Sequence, residues 1–230
     1  MSNINKIAVI TGVQDEADAF LPDHHATIEE TPFGPMRLID YAGKQVTLLC
    51  SGIGKVHAGA AAMHLNSRVQ PDLFMVIGTA GQVSAIQGDC FYLHEALQAD
   101  YGTLENSGSH DGFTHYNAGT WPIGPADWSP FQSHPLPSQL DLPKARIATA
   151  DCFVKCPDRS SYLRETLKAD LVDMETAAVA QIANLVGAPW AGIKATTDNA
   201  DGNSSGDFHA NLAAAADRAA KAAAQFIALL

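Results

Sequence analysis

Val172-Asp173-Met174-Glu175-Thr176-Ala177-Ala178 and, after the next strand, Ala195-Thr196-Thr197-Asp198-Asn199 are the stretches whose reading decides the fold. Met174, Ala178, Ile182 and Leu185 recur at helical spacing, and Gly187 with Pro189 supplies a stop, so Asp173 to Val186 is predicted to be an amphipathic helix. Glu175 then falls in its first turn, where an acid complements the helix dipole whatever else it does. Trp190-Ala191-Gly192-Ile193-Lys194-Ala195-Thr196 is apolar and short enough for a buried parallel strand, which puts Asp198 just past its carboxyl end. In open α/β sheets ligands bind at that edge, although an Asp there also serves to cap a turn.

Outward from this pair the chain keeps an α/β rhythm. Lys6 to Thr11 reads as a first strand ending in Gly12, and Asp15-Glu16-Ala17-Asp18-Ala19-Phe20 as the start of a helix over the sheet edge. Phe33 to Tyr41 and Gln45 to Cys50 flank Ala42-Gly43-Lys44 and read as a hairpin. Its second strand leads through Ser51-Gly52-Ile53-Gly54-Lys55-Val56 into an Ala-rich helix near Val56 to Leu65. That glycine pattern fits neither phosphate-binding fingerprint: Val56 follows Lys55 where a Walker loop needs Ser or Thr, and His57 stands where a dinucleotide motif needs its third glycine.

Pro71 to Ile77 is a buried strand running into the small-residue turn Gly78-Thr79-Ala80-Gly81, and Gly88-Asp89 opens another strand, Cys90 to Leu93. Residues 101 to 145, with six Pro and two of the three Trp, are the least patterned part. A long loop of that kind in a compact domain is usually functional or mobile. Trp121 and Trp128 serve equally well as loop anchors, and neither is assigned to a site. Patterning returns at Ala145 to Phe153, and Asp207 to Leu230 repeats Leu212, Ala216, Ala219, Ala223 and Phe226 on one face, as a packed final helix does. The expectation is one domain over residues 1–230.

Composition limits the functions available. The chain has 230 residues, 47% of them hydrophobic, enough for a full core. Its 14 Lys plus Arg stand against 25 Asp plus Glu, a formal charge of −11, with no basic run. Nucleic acid and anionic membrane are therefore poor partners. The N-terminus has no basic, apolar leader pattern, no run approaches 18 apolar residues, and a soluble cytoplasmic protein is expected. Cys50, Cys90, Cys152 and Cys156 sit mostly in apolar, strand-like surroundings and read as small core residues. Cys152 and Cys156 have three residues between them with no second pair, and His24-His25 has no partner motif, so neither metal nor cofactor is expected.

VDMETAA followed by KATTDNADG resembles the signature of the purine nucleoside phosphorylase and methylthioadenosine/S-adenosylhomocysteine nucleosidase superfamily, and the nucleosidase branch most. SGIGKV, the segment GTAG at Gly78 to Gly81 and the run ADCFV at Ala150 to Val154 extend the likeness over nearly the whole chain, least in 101 to 145. The resemblance implies a three-layer α/β/α domain around a central mixed, partly barrel-like sheet. It implies that Met174 packs on a ribose, that Glu175 accepts hydrogen bonds from its 2′- and 3′-hydroxyls, and that Asp198 protonates N7 of a departing purine. Ile53 would line the base and sugar pocket. Thr79, Ala80 and Gly81 would border the sugar and the nucleophile. Phe153 would stack on the base, Val154 pair with it through its backbone, and Phe208 cover the 5′ substituent. The general-base Glu falls on Glu16 by a one-residue gap; without the gap Ala17 takes the place, and Asp15 and Asp18 are the neighbouring substitutes. Gln82 replaces a glycine, and Lys194 stands where an Arg is usual near the ribose site.

The chemistry is coherent in its own terms. Breaking an N-glycosidic bond builds positive charge on the sugar and negative charge on the base, so an acid must reach the base and a carboxylate must manage the nucleophile. Phosphorolytic relatives hold phosphate with an Arg two residues before the turn glycine. Here that position is Val76, and no Arg lies between Arg68 and Arg146, which favours water. The reading is therefore hydrolysis of an adenine-type purine nucleoside, such as methylthioadenosine or S-adenosylhomocysteine, by a homodimer. A phosphorylase with an unrecognised phosphate site, and a nucleoside-binding relative without turnover, are the alternatives; a dinucleotide-dependent enzyme is more distant.

Overall fold

The computed structural model describes residues 4–105, 112–124 and 128–230. Strand β1 (Lys6–Thr11) sends Ile7 and Val9 to one face and Ala8 and Ile10 to the other, and each pair enters a different apolar cluster. Both faces of a strand with period-two alternation must then be covered. On one side α5 (Ser204–Ala228) and the short α1 (Gln14–Ala19) pack over β1, β5 (Leu73–Gln82) and β12 (Trp190–Asp198). On the other, α2 (Lys55–Val69) and α4 (Thr176–Val186) pack on each other and on the sheet through Ala58, Ala61, Ala62, Ala177 and Ala180. These are the three layers expected. The small side chains let the helices approach the sheet closely, and Phe226 of α5 stacks on Tyr92 at 5.7 Å between ring centroids.

The sheet also includes β2 (Ala26–Thr31), β3 (Gly34–Tyr41), β4 (Lys44–Cys50), β6 (Cys90–Gln98), β9 (Phe131–Gln132), β10 (Lys144–Thr149) and β11 (Leu171–Asp173). Its order is β11-β10-β6-β12-β5-β1-β4-β3-β2, with β9 beside β6. Because β11 also pairs antiparallel with β5, the strands β5, β12, β6, β10 and β11 close into a ring, while β1, β4, β3 and β2 form an open wing. This closure is the partly barrel-like character. β1, β4, β5 and β12 run parallel, so their carboxyl ends gather at one edge.

Several boundaries differ from the sequence reading. The helix expected from Asp173 starts at Thr176; Asp173 instead ends β11 and Glu175 is the N-cap residue. The cause is the Asp173 carboxylate, which accepts hydrogen bonds from Thr176 N (3.0 Å), Thr176 Oγ1 (2.5 Å) and Thr149 Oγ1 (2.6 Å) and so caps the helix from outside it. The small-residue segment Gly78 to Gly81 is the end of β5 rather than a turn. β2 was not anticipated, because as an edge strand it is mostly exposed and polar. Cys50 and Cys90 are half-buried and pack against the first apolar cluster as expected, whereas Cys152 and Cys156 are exposed and are not core residues. Within 101–145, β7 (Gly102–Leu104) pairs with β8 (Phe113–His115), Trp128 packs beside Tyr162 against a third apolar cluster, and Trp121 is exposed.

Candidate active site

The cleft lies at the edge where β1, β5, β11 and β12 end. It is lined by Gly12, Val13, Glu16, Ile53, Thr79, Ala80, Gly81, Phe153, Val172, Asp173, Met174, Glu175, Thr197, Asp198 and Phe208, and encloses about 490 Å³ including its open mouth. A smaller lobe continues past Phe153 to Cys152 and Val154. The structure thus brings together all eleven residues singled out from the sequence. Val154 alone lies only in the side lobe.

Glu16 reaches the cleft from the first turn of α1 and is 4% exposed. Oε2 accepts from Gly12 N (2.9 Å) and Val13 N (3.2 Å), and Oε1 from Thr79 N (2.7 Å) and Thr79 Oγ1 (2.8 Å). Four converging donors suit a carboxylate and fix its orientation. Asp15 and Asp18 are exposed and Ala17 is buried in the core, so Glu16 is the member of that turn that faces the cleft. The carboxylate fits only because position 78 lacks a side chain: a Cβ there would lie 2.4 Å from Glu16 Cδ, at a backbone φ of +144°. Gly12 similarly makes room for Glu175, whose Cδ would be 3.0 Å from an added Cβ.

Asp198 closes β12. The register with β5 slips between Thr196 and Asp198, setting Asp198 opposite Gly81. Irregularities of this kind re-aim a side chain at a sheet's end. Its Oδ2 accepts from Thr197 Oγ1 (2.8 Å) and Oδ1 from Ala200 N (2.9 Å), and the residue is 7% exposed. A polar depression lined by Asp89, Asp207, Asn211 and Arg218 approaches Asp198 from the solvent side.

Glu175 does not cap its own helix. Its Oε1 instead accepts from Gly54 N at 3.1 Å, joining the Ile53 loop to the cleft floor. Burial is the main cause that pushes its carboxyl up to about 7, opposed by the Lys194 ammonium. Lys194 is wholly buried beneath the cleft, 3.1 Å from Asp173 and 3.9 Å from Glu175. Asp173 and its ion pair with Lys194 are what the sequence reading missed. A lysine inside an otherwise apolar strand was the available signal, since such a charge requires a partner. The rim is apolar: Ile53 is 54% exposed, Phe153 is 46% exposed, and the Phe153 ring meets Phe208 edge-on at 5.9 Å.

A mixed sheet closed by β11, with three buried carboxylates at one strand edge, defines a protein of the nucleoside phosphorylase type. The phosphorylase superfamily profile matches residues 6–228, and the chain belongs to that family. Among individual relatives, it is 31% identical over 217 residues to the 5′-methylthioadenosine/S-adenosylhomocysteine nucleosidase of Bacillus pumilus, covering 88% of this chain and 90% of that protein. The nucleosidase of Listeria innocua is 28% identical over 210 residues, covering 84% and 86%. Two Helicobacter pylori structures superpose with a TM-score of 0.82 and share the fold. One is a nucleosidase mutant with 5′-methylthioadenosine in its active site (22% identical, covering 98% of this chain and 99% of that one). The other is a futalosine hydrolase (23% identical, 99% of each).

Proposed function

We propose that this protein is an N-glycosyl hydrolase that cleaves a purine nucleoside carrying adenine and an apolar 5′ substituent, such as 5′-methylthioadenosine or S-adenosylhomocysteine. The observation that carries the reading is the pairing of buried Glu16 and Asp198 on one cleft whose lining, among the described residues, includes no Arg or Lys side chain. Phosphate would need such a cation, whereas water does not. The names of the related nucleosidases support the same reaction class.

Glu175 receives the 2′- and 3′-hydroxyls, with Met174 against the sugar. Phe153 stacks on the base, the Val154 backbone pairs with its edge, Ile53 lines the base and sugar pocket, and Phe208 covers the 5′ group. Thr79, Ala80 and Gly81 border the sugar and the attacking water. Glu16 takes a proton from that water as its oxygen bonds to C1′. The bond from C1′ to N9 breaks, its electron pair passes to the purine, and Asp198 delivers a proton to N7, leaving free base and free sugar. The apolar rim suits a thioether better than a 5′-phosphate.

The test is release of free base from methylthioadenosine, S-adenosylhomocysteine, adenosine and inosine, each with and without phosphate. Release from the 5′-thioethers that is indifferent to phosphate is expected; release only with phosphate, as a sugar 1-phosphate, would overturn the reading. Val56 and Met63 on α2 and Leu185 on the adjoining α4 are exposed and apolar, which supports a homodimer. Sedimentation should give about twice the mass of the 24.3 kDa chain, and a stable monomer contradicts it. A cytoplasmic location accords with this reading, and no helix among the described residues is long and apolar enough to cross a membrane.

A further inference from the structure

Beneath the cleft is a group of charges that the reaction just proposed does not itself use. Lys194 is completely buried, yet the chain places it in the middle of β12, among Trp190, Ala191, Ile193 and Ala195, all at most 3% exposed. A buried ammonium is unfavourable unless it is paired, so this position calls for counter-ions. Its neighbours come from three other elements. Asp173 at the end of β11 lies 3.1 Å away, Glu175 at the cap of α4 lies 3.9 Å away, and Glu16 of α1 adds a further negative charge.

The two distances are unequal in a way that matters. Asp173 is held in place by hydrogen bonds from Thr149 and Thr176, and the ammonium lies nearer to it than to Glu175. The Lys194 Nζ makes no hydrogen bond to Glu175, whose donor among the described residues is Gly54 N on Oε1. The Glu175 carboxylate therefore feels a positive charge close by while its oxygens remain available on the cleft side. An Arg in place of Lys194 would present a planar fork able to grip Glu175 directly; the compact ammonium, held by Asp173, does not.

We propose that Lys194, held back by Asp173, is a positioning residue that keeps the buried Glu175 carboxylate ionised and unoccupied for a vicinal diol. The inference rests on the nucleoside reading of the cleft. The groups acting on Glu175 are Lys194 from β12, Asp173 from β11, Glu16 from α1, and the Gly54 N–H ahead of α2, while Asp198 lines the same cleft. On α2 itself, Lys55 is engaged by Asp100 at 2.6 Å and His57 by the Ser51 carbonyl at 3.1 Å. Lys194 is thus the cation set against burial and two further carboxylates. With the Glu175 carboxyl at about 7, diol binding should strengthen as pH rises through neutrality, because only the ionised form accepts from both hydroxyls.

The experiment compares wild type, Lys194→Arg and the double variant Lys194→Met/Asp173→Asn, since removing both charges together avoids leaving Asp173 unpaired. Melting curves establish that each is folded. The readouts are kcat and KM for methylthioadenosine between pH 6 and 9, and calorimetric affinity for free adenine, which lacks the diol. In the double variant KM at pH 7 should rise roughly two- to tenfold and recover toward pH 9, with kcat changed less, because the cation lost with Lys194 lowers the Glu175 carboxyl more than the anion lost with Asp173 raises it. Adenine affinity should not move. Lys194→Arg should retain the pH profile of an ionised Glu175. An unchanged KM profile in the folded double variant overturns this inference alone. Wild type that neither cleaves nor binds any nucleoside overturns the reading of the cleft as well.

Discussion

Asp198→Asn is expected to lower kcat by about 10²- to 10⁴-fold while leaving KM for methylthioadenosine nearly unchanged, the range typical for loss of a positioned general acid. The substitution is close to isosteric, and the amide oxygen can still accept from Ala200 N or Thr197 Oγ1, so the strand end and the bulge beside it should persist. What is lost is a proton deliverable to the base. The loss should be smaller for substrates with better leaving groups, because an acid matters most when the departing base is poor. Measuring kcat for a nucleoside and for an analogue with an activated leaving group checks this. Equal losses on both would assign Asp198 a structural role instead.

Glu16→Gln should be nearly as damaging to turnover, again by roughly 10² to 10⁴-fold, but with a stability cost that Asp198→Asn lacks. The four donors around Glu16 satisfy two acceptor oxygens. A glutamine offers one oxygen and an NH₂ group, so one pair of donors, either Gly12 N with Val13 N or Thr79 N with Thr79 Oγ1, would face another donor. Leaving buried donors unsatisfied costs about 1–3 kcal/mol each. Rate and melting temperature together separate the two effects. A lower melting point with kcat within tenfold of wild type would make Glu16 an organiser of the β1 and β5 ends rather than the base.

How much of this was legible before the structure varied with the physical reach of each signal. β1, β5, β12 and α5 announce themselves because their burial patterns are local: alternation or continuous apolarity in strands, a one-sided Ala and Phe stripe in the helix. Asp198 could be placed at a strand's end for the same reason. Asp173 could not, because what makes it a strand end and an outside cap is Thr149, from a strand 24 residues earlier. Its bond to Lys194 is equally non-local, so the lysine was visible as a departure without its counter-ion. β2 escaped notice because an exposed edge strand carries no apolar alternation, and β7 to β9 are too short to establish a period. The roles of Phe153, Val154 and Phe208 rested on resemblance, and geometry adds that they share one rim and side lobe.

Glu175 shows how the layers join. An apolar helix and a glycine at position 12 let a carboxylate sit almost dry at the N-cap of α4, burial drives it toward neutrality, and a paired lysine beneath resists that drive. Sequence, packing and charge converge on this one group, which in the proposed function recognises a sugar beside the bond to be hydrolysed.

The central claim is that water, activated at Glu16, is the nucleophile. Turnover of methylthioadenosine in oxygen-18-labelled water containing phosphate, with mass analysis of the sugar, addresses it directly. The account predicts one labelled oxygen on C1′ of a free methylthioribose and no phosphorylated sugar. A sugar 1-phosphate carrying no label at C1′ would contradict it.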